Sequence, residues 1–444
     1  MSSTANIIKL INKPLPLHRG NSRIWIATLK INATELANNL SYHYRIDSKN
    51  KKLILTTDKN LDDRKITLRG KNNLPLIDIN NKEISELFKD VKKISIKLYK
   101  HEIVIEPLKE EIEQAKARKK LHSNKITFCE IFAGGGTLSK SLKDAGMSPV
   151  AAVELQENYL LNLEANDGCV ATFQTNVTDF DFDLLPKAPV LVGGVPCENF
   201  CPAGVSKKKS LNQKSAEGGD TGSLAYFFLR AVETVRPAVV LIEQVVGFKN
   251  STIADVVRFV LNARGYKITE KVINAKECGS LSRRKRFCLV ATMSNTPFTF
   301  SNQMKFCTKT VRDILEVPIE EREWMTKESS ASIAYMFAKE KEDIKKGKGF
   351  RIARTYLNDS LTAPVTKGYY RNQNTNPILV HPKNEEKVSF FTPREIARIN
   401  GLPDDYILPE VRGHAGEVVG QGVDYETFYQ VGKDIIKHIK SASN

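Results

Sequence analysis

Between Lys125 and Met293 the chain alternates apolar runs with helix-favouring stretches. ITFCEIF leads into LSKSLKDAG, PVAAVE leads into a polar helical stretch, and APVLVGG, AVVLIEQV and FCLVATM follow. Continuous apolar runs suit strands covered on both faces, and the helical stretches between them supply the crossovers that parallel strands need. The rhythm predicts an α/β domain over residues 124–293 with helices packed on a mainly parallel sheet.

The flanks follow other rules. Residues 1–107 show β-type alternation at Ile24–Ile26, Lys52–Thr56 and Ile94–Ile105, broken by Gly- and Asn-rich turns, and read as a small basic β-rich domain. Residues 108–123 contain LKEEIEQAKARKKL, which has no Gly or Pro, and read as a helical linker. Beyond Met293 the alternation stops. Residues 294–385 read as irregular and rich in Lys, Arg, Thr and Asn. Residues 386–444 carry a helical segment, TPREIARINGLPDDY, and a final helix over Val431–Lys440, and are expected to return to the α/β domain. No internal repeat is present.

Composition narrows the partners. Lys and Arg number 67 against 51 Asp and Glu, a net charge of +16 that favours a polyanion, nucleic acid ahead of a membrane surface. Lys-rich coding is the plainer source of that excess. None of the seven cysteines forms a C-x-x-C pair, and none of the seven histidines stands at zinc-ligand spacing from them, so neither metal site nor disulfide framework is expected. The N-terminus lacks the apolar core of a signal peptide, and no run is long enough to span a bilayer. The expectation is a soluble protein of a reducing compartment, the cytoplasm of a bacterial or phage-infected cell.

Four motifs sit where such a domain places its chemistry. Phe132-Ala133-Gly134-Gly135-Gly136 follows a strand and opens a helix at Thr137 and Leu138. Glycines there admit a ligand to the backbone, although many α/β proteins use such a turn for packing alone. The next strand ends in Glu154, followed by Leu155, and a carboxylate at that place accepts hydrogen bonds from a ribose diol. Gly193-Gly194-Val195-Pro196-Cys197-Glu198-Asn199-Phe200 follows another strand and offers a thiol on a tight turn, where the plain alternative is a small buried hydrophobe. Glu243-Gln244-Val245 ends a further strand, so Cys197 as nucleophile and Glu243 as acid or anchor would face one crevice; a solvated Glu is the alternative. Ser282-Arg283-Arg284-Lys285-Arg286 precedes the last strand and suits phosphate, unless it is simply a solvated charge run.

In order and identity these elements resemble the cytosine-C5 DNA methyltransferase family over residues 125–440. FAGGG resembles its cofactor loop, GGVPCENF its Pro-Cys loop, EQV its Glu-Asn-Val element and SRRKR its Gln-x-Arg-x-Arg element. FTPREIARINGLPDDY resembles the helix before its last motif, and QVGK the start of that motif. The resemblance implies a Rossmann-like S-adenosylmethionine-dependent methyltransferase domain, with 294–385 as target-recognition domain. It implies double-stranded DNA as substrate, bound by a monomer, with the cytosine flipped out of the helix.

Cys197 would then add to C6, making C5 nucleophilic, while Glu243 holds N3 and the exocyclic amine. Arg286 would contact the base and Arg284 support the loop. Phe132–Leu138, Glu154, Leu155, Asn176, Val177, Gly194, Pro196, Lys433 and Asp434 would line the donor site. Arg283 and Lys207-Lys208-Lys209, on a loop expected to close over DNA, would meet phosphates.

Five positions depart from the family's pattern: Val195 for Pro, Asn176 for Asp, Gln244 for Asn, Ser282 for Gln, and Gly432-Lys433-Asp434 for Gly-Asn-Ser or Gly-Asn-Ala. The Asn176 side-chain oxygen still accepts a hydrogen bond from adenine's amino group. Lys433 is expected where a turn opens the final helix, an unfavourable place for a cation. Either it pairs at the surface with Asp434 or water, or it binds a carboxylate on the donor. The latter implies carboxy-S-adenosylmethionine and 5-carboxymethylcytosine as product. Two other classes share these motifs, a tRNA cytosine-C5 methyltransferase and a catalytically dead DNA-binding regulator. The Arg-, Asn- and Tyr-containing stretch over 346–373 favours duplex DNA over tRNA.

Overall fold

The computed structural model describes residues 6–38, 40–57, 64–169, 171–196, 220–301, 305 and 307–443. The chain forms two compact units, Met1–Lys116 and Ala117–Asn444.

The first unit is built from ten strands: β1 (Lys9–Pro14), β2 (Leu17–His18), β3 (Asn21–Ala27), β4 (Ser41–Asp47), β5 (Lys52–Thr56), β6 (Arg64–Lys65), β7 (Thr67–Arg69), β8 (Leu74–Asn80), β9 (Lys93–Leu98) and β10 (Glu102–Pro107). They form a six-stranded sheet ordered β1-β9-β10-β5-β4-β6 and a four-stranded sheet ordered β2-β3-β8-β7. Period-two patterning closes the core: Ile24 and Ile26, Leu53 and Leu55, Ile94, Ile96 and Leu98 all point inward. Helix α1 (Lys82–Leu87) is capped by Asn81, whose side chain accepts from the Ile84 N–H. Helix α2 (Lys109–Lys119) spans the polar stretch read as a linker.

The second unit opens with the expected rhythm: β11 (Thr127–Ile131), α3 (Thr137–Ala145), β12 (Ser148–Glu154), α4 (Glu157–Asp167), β13 (Ala171–Gln174), β14 (Val190–Gly194), α5 (Asp220–Val235), β15 (Val239–Gln244), α6 (Thr252–Ala263), β16 (Lys267–Asn274) and β17 (Lys285–Thr292). The sheet runs β13-β12-β11-β14-β15-β17-β16. Strands β11 to β15 are parallel, and β17 is antiparallel to both neighbours. Alternate residues of each strand feed opposite faces. Leu191, Val240, Ile242 and Leu289 pack with Phe228 and Leu229 of α5 and Val257 and Leu261 of α6. Val190, Val192, Val239 and Leu241 pack with Leu138 and Leu142 of α3. Each such side chain contributes roughly 1.5–3 kcal/mol of burial. The result is a three-layer, doubly wound α/β fold.

The rest of the unit differs from the sequence expectation in four places. The irregular region contains a helix, α7 (Ala331–Lys345), and a small sheet of β18 (Arg354–Thr355), β19 (Ile378–His381) and β20 (Asn384–Ser389). The segment beginning TPREIARI is helical only through α8 (Pro393–Ile399), which opens on a Thr392–Glu395 capping box. It stops before Gly401, whose φ of +74° leaves the helical region. Helix α9 (Arg412–Gln421) was not expected, because its three glycines lower its propensity. The final helix, α10, spans Tyr425–Ser443 and so begins six residues before Val431. Its Phe428, Val431, Ile435 and Ile439 join the core on the α3 face of the sheet.

Candidate active site

Strand order fixes where a ligand can enter. The chain leaves β11 for β12 and β13 on one side, then returns to β14 on the other, so the crevice opens at the carboxyl ends of β11 and β14. The register brings Ile131 beside Gly193, Gly194 beside Glu243, and Glu243 beside Cys288.

The loop after β11 turns through Phe132, Gly134 and Gly136, with φ of +62°, +55° and +83°. Its back is closed. A Cβ on Gly135 would stand 2.5 Å from Val418, and one on Gly136 3.0 Å from Leu163. The Gly135 carbonyl accepts from Asn162 Nδ2 at 2.9 Å and Tyr406 Oη at 2.5 Å. Its front is open, since a Cβ on Gly134 would meet nothing within 4 Å. Ala133 is buried and donates its N–H to Val153. Leu138 is turned into the core, so only its backbone remains available to a ligand.

Glu154 locks this loop to the next strand. One carboxylate oxygen accepts from the Gly134 N–H at 2.8 Å, the other from the Leu155 and Gln156 N–H groups at 2.9 Å each. The carboxylate is thereby oriented before any ligand arrives, and Oε2, which accepts only the Gly134 N–H, keeps acceptor capacity. Leu155 is exposed. Beyond β13, the Asn176 side-chain oxygen accepts from the Thr178 N–H at 3.1 Å, while Val177 is buried.

On the other side, Glu243 meets Arg286 Nε at 2.6 Å, with both side chains mostly buried. A Cβ on Gly194 would come 3.3 Å from the Glu243 carboxylate, a tight approach that glycine relieves. Gln244, fully buried, donates its amide to the Val195 carbonyl and fixes the chain just before Pro196. Cys197 and Lys207–Lys209 lie outside the described residues. Burial pushes the Cys129 thiol up to about 12 and Cys278 to about 11, and raises Cys288 strongly, which leaves these three as protonated packing groups.

The Arg-rich run divides by residue. Arg283 is exposed, and its Nε donates to Thr362. Arg284 is buried and ties three segments together, donating to the carbonyls of Val365 at 2.8 Å, Gly420 at 3.1 Å and Gly422 at 2.7 Å. Ser282 is buried and bridges to Thr362.

The expectation for Lys433 needs correction. Lys433 stands eight residues inside α10, not at its opening turn. It is exposed, with its ammonium 5.2 Å from the Tyr429 ring centroid. Gly432 abuts Ala145, at the far end of α3 from the loop. Asp434 accepts from the Ser301 N–H at 2.8 Å and from Gln430 at 3.1 Å. The segment that reaches the loop is instead Gly420-Gln421-Gly422-Val423. Thr137 accepts from the Val423 N–H at 3.0 Å, and a Cβ on Gly422 would collide with the Thr137 hydroxyl. Sequence reasoning missed this glycine–amide–glycine turn, whose one local signal is the pair of glycines flanking Gln421.

Among the described residues, no group of three His, Cys, Asp or Glu side chains could hold a metal ion, and no helix is long and apolar enough to cross a membrane.

Residues 126–437 match the C-5 cytosine-specific DNA methylase family, about seven-tenths of the chain. The chain belongs to that family. Its members transfer a methyl group to C5 of cytosine in DNA, and S-adenosylmethionine is the donor. The chain is 23% identical over 326 residues to the type II methyltransferase M.DsaV of Dactylococcopsis salina, covering 72% of this chain and 88% of that one. It is 24% identical over 339 residues to M.HpaII of Haemophilus parainfluenzae, covering 71% and 90%. Among solved structures, the methyltransferase EhMeth of Entamoeba histolytica superposes with a TM-score of 0.53 at 18% identity, over 71% of this chain and 99% of that one. The Dnmt2 methyltransferase of S. pombe gives 0.55 at 17% over the same shares, and these likenesses bear on the fold. The family match begins at residue 126, so the first unit lies outside it.

Proposed function

We propose that this methylase-family chain modifies duplex DNA through Cys197, with Glu243 and Arg286 on the base and the Phe132–Gly136 loop with Glu154 on the donor. The observation that carries the reading is the shared crevice: an oriented carboxylate on the donor side and a Glu–Arg pair beside the strand that runs into Pro196 and Cys197.

The donor supplies an electrophilic sulfonium methyl when bound. Glu154 suits its ribose diol, the open front of Gly134 admits its backbone-facing edge, and the second lone pair on the Asn176 oxygen suits its adenine amino group. Cys197 forms a bond to C6 of the flipped cytosine, and the C5–C6 electron pair becomes an enamine. Glu243, oriented by Arg286, holds N3 and the amine as negative charge develops. After C5 takes the methyl, loss of the C5 proton and departure of the thiolate restore the double bond. Arg284 acts as a positioning residue, since it donates to the backbone carbonyls of Val365, Gly420 and Gly422. Arg283 and Lys207–Lys209 serve the phosphates, and 294–385 serves target recognition, in a monomer acting in the cytoplasm of a bacterial or phage-infected cell.

Methyl transfer is favoured over carboxymethyl transfer, because Lys433 stands on the exposed face of α10 beside Tyr429. The test supplies duplex DNA with S-adenosylmethionine or carboxy-S-adenosylmethionine and weighs the product nucleosides. 5-Methylcytosine from the first donor is expected. A product only from the carboxylated donor would reverse the donor assignment, and turnover of tRNA in place of duplex DNA would reverse the substrate.

A further inference from the structure

The two sheets of the first unit treat their cations differently. On the six-stranded sheet Lys52 and Lys97 share Glu106, at 3.0 and 2.5 Å, so each of these cations has a carboxylate partner. On the four-stranded sheet the outward positions of β3 are Arg23 and Trp25, alternating with buried Ile24 and Ile26. The guanidinium carbons of Arg23 and Arg69 lie 4.5 and 5.1 Å from the Trp25 ring centroid. Arg23 is held by Asp78 through two hydrogen bonds of 2.9 and 2.6 Å. Arg69 is exposed and makes no ion pair among the described residues. Lys13 of β1 donates to the Trp25 carbonyl and brings another ammonium to the edge of the face, and exposed Lys71 follows Arg69 in the β7–β8 turn.

A guanidinium laid on an indole keeps its N–H edge free and fixed in plane, which suits phosphate oxygens. Charge agrees: residues 1–116 hold 22 Lys and Arg against 14 Asp and Glu. We propose that the Trp25-centred face, with Arg69 as a cation that has no ion pair among the described residues, binds the phosphate backbone of duplex DNA as a sequence-independent anchor for the methylase unit. This rests on duplex DNA being the substrate.

The test uses the full chain and a fluorescent duplex of scrambled sequence, with affinity followed by anisotropy across a salt series. Arg69→Gln is expected to make the slope of log Kobs against log salt shallower by roughly 0.9, the value of one lost phosphate contact. Arg69→Gln with Lys71→Gln should lower the slope further, while Lys97→Gln on the paired face leaves it unchanged. KM for DNA should rise with kcat at saturating DNA unaltered. A wild-type slope in both the single and the double variant overturns the proposal, as does a wild-type DNA slope combined with lost binding to phosphatidylserine vesicles. Failure of the catalytic reading would show separately, as absent turnover in the unmutated protein, and leaves this equilibrium measurement standing.

Discussion

The two sides of the crevice are held by different means. On the donor side the locks are side chain to backbone: Glu154 to three N–H groups, Arg284 to three carbonyls, Asn162 and Tyr406 to the Gly135 carbonyl. On the base side the central contact is side chain to side chain, Glu243 to Arg286 across neighbouring strands. A backbone lock carries part of the fold, because removing it strands buried carbonyls or frees a strained loop. In the proposed mechanism the side-chain pair at the end of the finished sheet is the one that carries chemistry. Substitutions on the two sides should therefore separate stability from rate.

The largest expected effect is on the base side. Glu243→Gln should lower kcat by roughly 10²–10³-fold in single-turnover methylation, with the thermal midpoint nearly unchanged. A large fall in the midpoint would break the comparison. Arg284→Met should do the reverse, costing about 3 kcal/mol in denaturant unfolding, since it strands the buried carbonyls of Val365 and Gly420. Glu154→Ala belongs between them. It should raise KM for S-adenosylmethionine about 10–100-fold, the worth of one or two charge-assisted hydrogen bonds, with a smaller change in kcat.

The smallest effect concerns α10. His438 sits against Thr292 at 3.0 Å, and burial holds its imidazole below the usual value of 6.5. The folded state keeps this ring neutral, whereas the unfolded chain protonates it below about 6.5. Its contribution to stability is thus fully present above that pH and falls away as pH drops below it. His438→Gln should flatten the acid limb of the stability curve measured by denaturant titration.

What was legible in the sequence was local. Apolar runs betray strands covered on both faces, and each run ends next to its own candidate residue. The places of Glu154, Gly194 and Glu243 at strand ends are therefore legible from the strands that carry them. The donor-side lock at Gly420–Val423 was not, because Thr137 and Val423 meet across 286 positions and no short-range pattern encodes that meeting. Lys433 was misread for a related reason. Its triplet looked like the start of a helix, but the helix had begun at Tyr425 and Lys433 had turned to its exposed face. Helix α7 was hidden by its setting: few of its residues are buried, Ile333 and Met336 among them, and its second half is mostly charged.

The central claim is a covalent bond from Cys197 to cytosine, and a duplex carrying 5-fluorocytosine at the target tests it most directly. Fluorine cannot leave as the C5 proton does, so after methyl transfer the thiolate cannot depart and the complex is trapped. With S-adenosylmethionine present, a denaturation-resistant protein–DNA adduct should form, peptide mass mapping should assign it to Cys197, and Cys197→Ser should abolish it. An adduct mapped to another residue, or methylation of ordinary duplexes without any trapped complex, would contradict the account.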